Sequence, residues 1–273
     1  VSQPALSAQV ALVEEALGVR LFDRDRRRVL LTPAGSELLS RARELLLAAD
    51  ELVLRASQLT EPFTGTIRIG IIPTIAPYLL PEMAPLLKQE YPRLTEIWVE
   101  DKTESLMQRL RDGELEGAVV ALESKLGEVD HALIGDDAFV LAAPPGHPVT
   151  RGKRKIAAGR LDGHSFLLLD DGHCFRDQAL EFCSNAGASE MAVRATSLST
   201  LVQMAAAGAG LTLLPSLAIP VENRGGTLHV RRFAGEPPKR TLALVWRPRS
   251  AVETTLRALA RTMARSYRTL SDR

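Results

Sequence analysis

Thr66-Ile67-Arg68-Ile69-Gly70-Ile71-Ile72-Pro73-Thr74-Ile75-Ala76-Pro77-Tyr78-Leu79-Leu80-Pro81 reads as a buried strand running into a helix. The first seven residues are rich in β-branched side chains and nearly uncharged, and Pro73 stops the strand. The same change of pattern recurs downstream. Strands are expected at 66–72, 96–100, 117–121, 138–143, 165–169, 193–196, 211–214, 227–232 and 241–246, with helices at 77–90, 104–111, 176–186, 197–207 and 251–267. Strands alternating with helices imply an α/β fold whose parallel sheet is covered on both faces. No internal repeat or low-complexity tract interrupts it.

Upstream of Thr66 the pattern is different. A helix is expected over 2–17, with Ser2 as its cap, Pro4 in its first turn and Leu6, Val10, Val13 and Leu17 as one apolar stripe. Gly18 would end it. Leu21-Phe22, the basic run Arg24-Asp25-Arg26-Arg27-Arg28, the β-like Val29-Leu30-Leu31 and Thr32-Pro33-Ala34-Gly35 follow. Helix, hairpin and a basic tip are the layout of a winged DNA-binding module. Arginines at such a tip also read as a solvated loop. Their place behind a helix with a small polar face (Gln3, Ser7, Ala8, Ala11) favours DNA, where arginine contacts phosphate or enters the minor groove. A long helix is expected from 36 to 60. Leu38, Ala42, Leu45, Ala49, Leu52, Ala56 and Leu59 form a heptad seam that suits pairing with a second copy better than packing on its own domain. Glu61-Pro62-Phe63-Thr64-Gly65 breaks the helix. The expected domains are therefore 1–35, 36–61 and 66–270.

The chain has 273 residues, 45% hydrophobic and 25% charged, with a net charge of +1, so any nucleic-acid surface must be local. No apolar stretch is long enough to span a membrane, and Val1-Ser2-Gln3-Pro4 does not resemble a signal peptide. Two cysteines do not make a disulfide scaffold, and a reducing cytoplasm is the expected compartment.

Those cysteines, Cys174 and Cys183, are nine positions apart. On one helix that is a rise of about 13 Å, whereas a disulfide needs Cα atoms within roughly 7 Å. Joining them would require the helix to come apart, which makes the pair a candidate switch.

Ser2-Gln3-Pro4-Ala5-Leu6-Ser7, Leu17-Gly18-Val19-Arg20-Leu21-Phe22-Asp23-Arg24 and Leu31-Thr32-Pro33-Ala34-Gly35 resemble the DNA-binding end of LysR-type transcriptional regulators. The resemblance implies a partial winged helix-turn-helix, a linker helix and a two-subdomain effector domain like a periplasmic binding protein. Ser2, Gln3, Pro4, Ser7, Arg24, Arg26, Arg27 and Arg28 would contact DNA. The family's domain begins with further helices, so an N-terminally truncated chain is expected. Ala11 and Leu12 stand where the family often carries basic residues, and weak operator binding is expected.

Gly172-His173-Cys174, Arg176-Asp177-Gln178-Ala179 and Phe182-Cys183 resemble the peroxide-sensing members of the family, as do Arg194-Ala195-Thr196-Ser197-Leu198, Gly210-Leu211-Thr212-Leu213-Leu214-Pro215 and Leu244-Val245-Trp246-Arg247-Pro248. That resemblance implies a hydrogen peroxide sensor in which Cys174 attacks peroxide and Cys183 resolves the sulfenic acid as a disulfide. Arg176 and the helix N-terminus would stabilise the thiolate. Thr74, Thr103, His173, Gln178 and Arg247 would line the peroxide pocket, with Asp177 tuning the charge. Homodimers through the linker helix, tetramers and contact with RNA polymerase are implied, and no cofactor or metal is expected. The alternatives are a regulator whose effector is a small anion bound between the subdomains, and a thiol peroxidase. Residue by residue, the cysteines could be inert core thiols, His173, Thr74 and Thr103 simple helix caps, and Arg247 a surface ion pair.

Overall fold

A computed structural model describes residues 2–25, 28–152 and 155–271 of the chain. It divides into two compact units, with the break between Ala56 and Ser57.

In the first unit, helix α1 spans Gln3–Leu17 and ends on Gly18, whose φ of 69° is left-handed. Ser2 holds the cap position with extended backbone, but its hydroxyl makes no cap bond, contrary to expectation. Pro4 occupies the second helical position and removes one of the two N–H groups that a cap can reach. Strands β1 (Phe22–Asp25) and β2 (Arg28–Leu31) form an antiparallel hairpin. Helix α2 runs over Pro33–Thr60, three residues longer at its start than expected. Thr32 explains the extension: its Oγ1 accepts the Gly35 N–H at 2.9 Å and donates to the Arg20 carbonyl at 2.7 Å, with Pro33 opening the helix. A side chain on Gly35 would lie 2.1 Å from the Leu21 carbonyl oxygen, so the turn before the wing can pack here only against glycine. Glu14 accepts the Leu21 and Phe22 N–H groups at 2.7 and 3.1 Å, tying α1 to the hairpin. Leu45 and Leu52 of the heptad seam are 73% and 72% exposed in the single chain.

The second unit runs β3 (Gly65–Ile71), α3 (Ala76–Glu90), β4 (Leu94–Glu100), α4 (Thr103–Arg111), β5 (Gly117–Ala121), β6 (Asp130–Ala143), β7 (Ser165–Leu169), α5 (Cys174–Asn185), β8 (Ser189–Ala195), α6 (Leu198–Ala206), β9 (Leu211–Pro215), α7 (Ile219–Glu222), β10 (His229–Arg232), β11 (Lys239–Trp246) and α8 (Glu253–Ser271). The strands form one sheet in the order β4-β3-β5-β11-β6-β9-β7-β8, with β10 also on β6. The sheet is mixed, a correction to the expected parallel one. β3 is parallel to β4 and β5, and β7 to β8 and β9, but β11 and β6 are antiparallel to every strand they touch.

The antiparallel pair arises because β6 and β11 carry the chain between the two halves. Residues 130–138 of β6 pair with β11 in the first half; residues 139–143 pair with β9 and β10 in the second. Only 138–143 was legible as strand, because Asp130, Asp136 and Asp137 give the earlier residues the look of a loop. In the first half Ile69, Ile71, Leu79, Met83, Leu256 and Met263 are fully buried. In the second, Phe166, Leu167, Phe175, Ala179, Cys183 and Leu213 belong to one continuous core. Each such large apolar side chain contributes about 1.5–3 kcal/mol on burial. Among the described residues, no helix is long and apolar enough to cross a membrane.

Candidate functional site

Parallel strands place loops at their C-terminal ends, and the loops after β3, β4 and β7 meet in the cleft between the halves. Thr74 follows β3, Lys102 and Thr103 follow β4, and Asp170–His173 lead from β7 into α5, whose first residue is Cys174.

Three side chains of the first half, Lys102, Arg240 and Glu123, hold α5 and the loop before it. Lys102 Nζ donates to the Asp171 carbonyl at 2.7 Å. The Arg240 guanidinium of β11 lies 5.6 Å from the centre of the Phe175 ring, and Phe175 meets Phe139 edge-on at 4.9 Å. Gln178 Nε2 donates to Glu123 at 3.3 Å.

Cys174 is partly exposed at the N-terminus of α5, where the first turn leaves backbone N–H groups without helical partners. His173 stands at the cap position, but its ring makes no cap bond. It is buried, and its proton affinity is held below the ordinary histidine value by burial first and the Lys102 charge second, with Asp170 opposing. Thr103 is the first residue of α4 rather than its cap; its Oγ1 is buried and has no hydrogen-bond partner. Gln178 Oε1 is likewise buried and unpartnered. Thr74 Oγ1 accepts from Arg240 at 2.7 Å, so it is no helix cap. Buried polar atoms without partners are uncommon in folded proteins; others lie away from the cleft, at Glu96 Oε1 and Trp246 Nε1.

Cys183 differs from Cys174 in its burial. It is 1% exposed, belongs to the core of the second half, and burial pushes its thiol up to about 12. Both thiols are free, on one unbroken helix.

Two arginines sit elsewhere than expected. Arg247 follows the C-terminal end of β11 and donates to the Leu110 and Leu115 carbonyls at 2.6 and 2.8 Å. Because β11 is antiparallel to β5, and β5 parallel to β3, Arg247 lies at the end of the sheet opposite Thr74. The arginine at Thr74 is Arg240, at the other end of the same strand. It is fully buried, donates to Thr74 Oγ1 and to the Thr74 carbonyl at 2.9 Å, and pairs with the equally buried Asp137 at 2.9 Å. Nothing in the sequence marks it, because Pro237-Pro238-Lys239-Arg240 and its partner segment Asp136-Asp137 both read as loops. Arg176 is 5% exposed and its guanidinium goes to Asp171 at 2.9 Å and Glu190 at 3.0 Å, so its charge is committed to that cluster. Those bonds, with Arg194 adding to Arg176, hold the Asp171 carboxyl below the usual carboxylate range. Asp177 is exposed on the first turn of α5.

A cavity of about 980 Å³ opens at the crossover of the halves, lined among others by Tyr78, Phe139, Leu217, Arg224, Phe233 and Tyr267, and neither cysteine lines it. Asp137 accepts the Leu217 N–H at 3.0 Å, which links this cavity through Arg240 to Thr74.

In the first unit, Ser2, Gln3, Pro4, Ser7 and Arg28 are exposed. Arg26, Arg27 and the side chain of Arg24 lie outside the described residues.

Residues 60–268 match the LysR substrate binding domain, and residues 1–36 the bacterial regulatory helix-turn-helix protein, lysR family. A probable hydrogen peroxide-inducible genes activator of Mycobacterium avium is 44% identical over 95% of this chain and 84% of its own length. The DNA-binding transcriptional dual regulator OxyR of Escherichia coli K12 is 41% identical over 95% and 85%. Among solved structures, full-length OxyR from Pseudomonas aeruginosa, in a cysteine-to-aspartate variant, superposes with a TM-score of 0.77 at 33% identity, covering 96% of this chain and 86% of the other. A cysteine-to-serine variant of Corynebacterium glutamicum OxyR with hydrogen peroxide bound gives 0.74 at 34% identity, covering 99% and 85%. The chain belongs to the LysR family of bacterial regulators, and within it to the OxyR group.

Proposed function

We propose that this chain is a hydrogen peroxide-sensing transcription regulator, switched by a reversible disulfide between Cys174 and Cys183. The observation that carries the reading is the contrast along α5: a partly exposed thiol at the helix N-terminus, one turn before the unpartnered Gln178 Oε1, and a buried thiol nine residues on.

The Cys174 thiolate attacks one peroxide oxygen; the O–O bond breaks and the departing hydroxide takes a proton to leave as water. Thr103 Oγ1, Gln178 Oε1 and His173 are the groups available to hydrogen-bond the two oxygens, with Thr74 oriented by Arg240. The product at Cys174 is a sulfenic acid. The Cys183 thiol then displaces its hydroxyl, forming the S–S bond and releasing a second water. Since α5 holds the thiols about 13 Å apart along its axis, the second step requires the helix to open. Packed helix and cross-linked loop are then the two states that report to the DNA-binding end. The exposed seam of α2 supports pairing of two copies, and the basic wing supports DNA as the partner.

The test is mass spectrometry after a near-stoichiometric peroxide pulse. An intramolecular Cys174–Cys183 disulfide formed within seconds is expected, and sulfenate trapped at Cys174 when Cys183→Ser is used. Unmodified thiols refute the reading, and continued peroxide consumption with a thiol reductant makes the protein a peroxidase instead.

A further inference from the structure

We propose that Lys102 is a positioning residue for the sensing reaction, a strap across the cleft that sets the Cys174 segment against Thr103. The inference rests on the peroxide-sensing reading above. Lys102 is fixed at its own end, because Asp101 accepts both its backbone N–H at 2.8 Å and the Ser105 hydroxyl at 2.6 Å, at the start of α4. Its side chain then crosses to the other half. The stem runs so close to Gly172 that a Cβ there would meet Lys102 Cδ at 3.1 Å, and Gly172 has a φ of 87°, which glycine adopts freely. The ammonium ends on the Asp171 carbonyl at 2.7 Å.

Asp171 is held from the other side as well. Its carboxylate accepts from Arg176 at 2.9 Å and Arg194 at 2.6 Å. The peptide two residues before His173 is thus pinned by one half through its carbonyl and by the other through its side chain. Lys102 and Thr103 are chain neighbours, so the strap fixes the unpartnered Thr103 Oγ1 relative to Cys174. The strap also brings a positive charge to His173, which faces Lys102 from the β4–α4 loop and Asp170 from its own loop, and Lys102 lowers its proton affinity on top of burial. A neutral imidazole can accept a hydrogen bond from a peroxide O–H at one ring nitrogen and donate one at the other, whereas an imidazolium only donates.

The experiment uses the full chain with Cys183→Ser, so that only the first chemical step is read. Sulfenate formation is followed against peroxide concentration and pH in Lys102→Met, Lys102→Arg and the parent, with iodoacetamide alkylation of Cys174 as a control that needs no peroxide pocket. Lys102→Met is expected to slow the peroxide reaction by about ten- to hundredfold, the size of a lost positioning contact, with alkylation within about twofold of the parent. The histidine limb of the pH profile should move to higher pH in Lys102→Met and return in Lys102→Arg. A parent that does not form sulfenate overturns the sensing reading itself. A reactive parent with Lys102→Met equally fast, or slowed in both reactions with an unmoved pH limb, overturns the strap.

Discussion

Phe175 offers a direct measure of how much folded structure the disulfide must give up. It follows Cys174, is 1% exposed, and packs between Phe139 and Arg240. Truncating a buried phenylalanine to alanine costs about 3–5 kcal/mol through lost transfer energy and the cavity left behind. If oxidation frees Phe175 from this site, the cost falls on the dithiol form alone. A less stable dithiol makes reduction less favourable, so the potential becomes more negative. With about 30 mV for each 1.4 kcal/mol in a two-electron couple, Phe175→Ala should shift it by about 60–110 mV. Phe175→Leu keeps most of the packing and should cost under about 1.5 kcal/mol, or about 30 mV at most. The assay is equilibration in graded dithiothreitol or glutathione buffers with alkylation of remaining thiols, alongside urea unfolding of the reduced protein. A reduced protein weakened by about 3 kcal/mol or more, with a potential within about 15 mV of the parent, would falsify the helix-opening step: Phe175 would then stay buried in both forms.

The buried pair of Arg240 and Asp137 gives a second expectation. Arg240→Met strands a carboxylate that is 0% exposed and should cost about 3–5 kcal/mol in urea, while Arg240→Met with Asp137→Asn should recover most of it, since the amide oxygen can still accept the Leu217 N–H. Equal losses in single and double variants would show that the pair matters only for its volume. The thiol of Cys183 predicts a pH effect. Burial moves it from 9.0 to about 12, so between these values the folded chain keeps a proton that the unfolded chain has released. Stability should therefore fall as pH rises above 9.0, approaching about 1.4 kcal/mol per unit. Between pH 9.0 and 10.0, below the ordinary tyrosine value, Cys183→Ser should flatten the curve, and an unchanged slope would place the titration elsewhere.

The helices and most strands were legible because their signals are local. Ile67 to Ile72 declares a buried strand and Gly18 a helix end. The site was legible only in part. Cys174 and His173 stand out through their neighbours in sequence, and Thr103 only through the family resemblance, since its place before a helix reads equally well as a cap. Arg240 did not, because its worth depends on a fully buried Asp137, 103 positions away, that reads as a loop acid. Arg247 looked equivalent on a one-dimensional reading, yet the antiparallel course of β11 sends the two arginines to opposite ends of the sheet. Arg176 shows the same limit: two residues after Cys174 in sequence, it is bound by Asp171 and Glu190.

The burial of Cys183 also sets how the proposed sensor behaves under a heavy load. A sulfenate at Cys174 waits for α5 to open, and that opening is a first-order event that does not depend on how much peroxide surrounds the protein. A second collision with peroxide does depend on it, and converts sulfenate to sulfinate, which a thiol cannot repair. At low dose nearly every hit therefore ends as a disulfide and is recoverable. Above the dose at which second collisions outrun helix opening, molecules leave the cycle for good. The tightness of the packing around one core thiol thus fixes an upper limit on the signal that the protein can report.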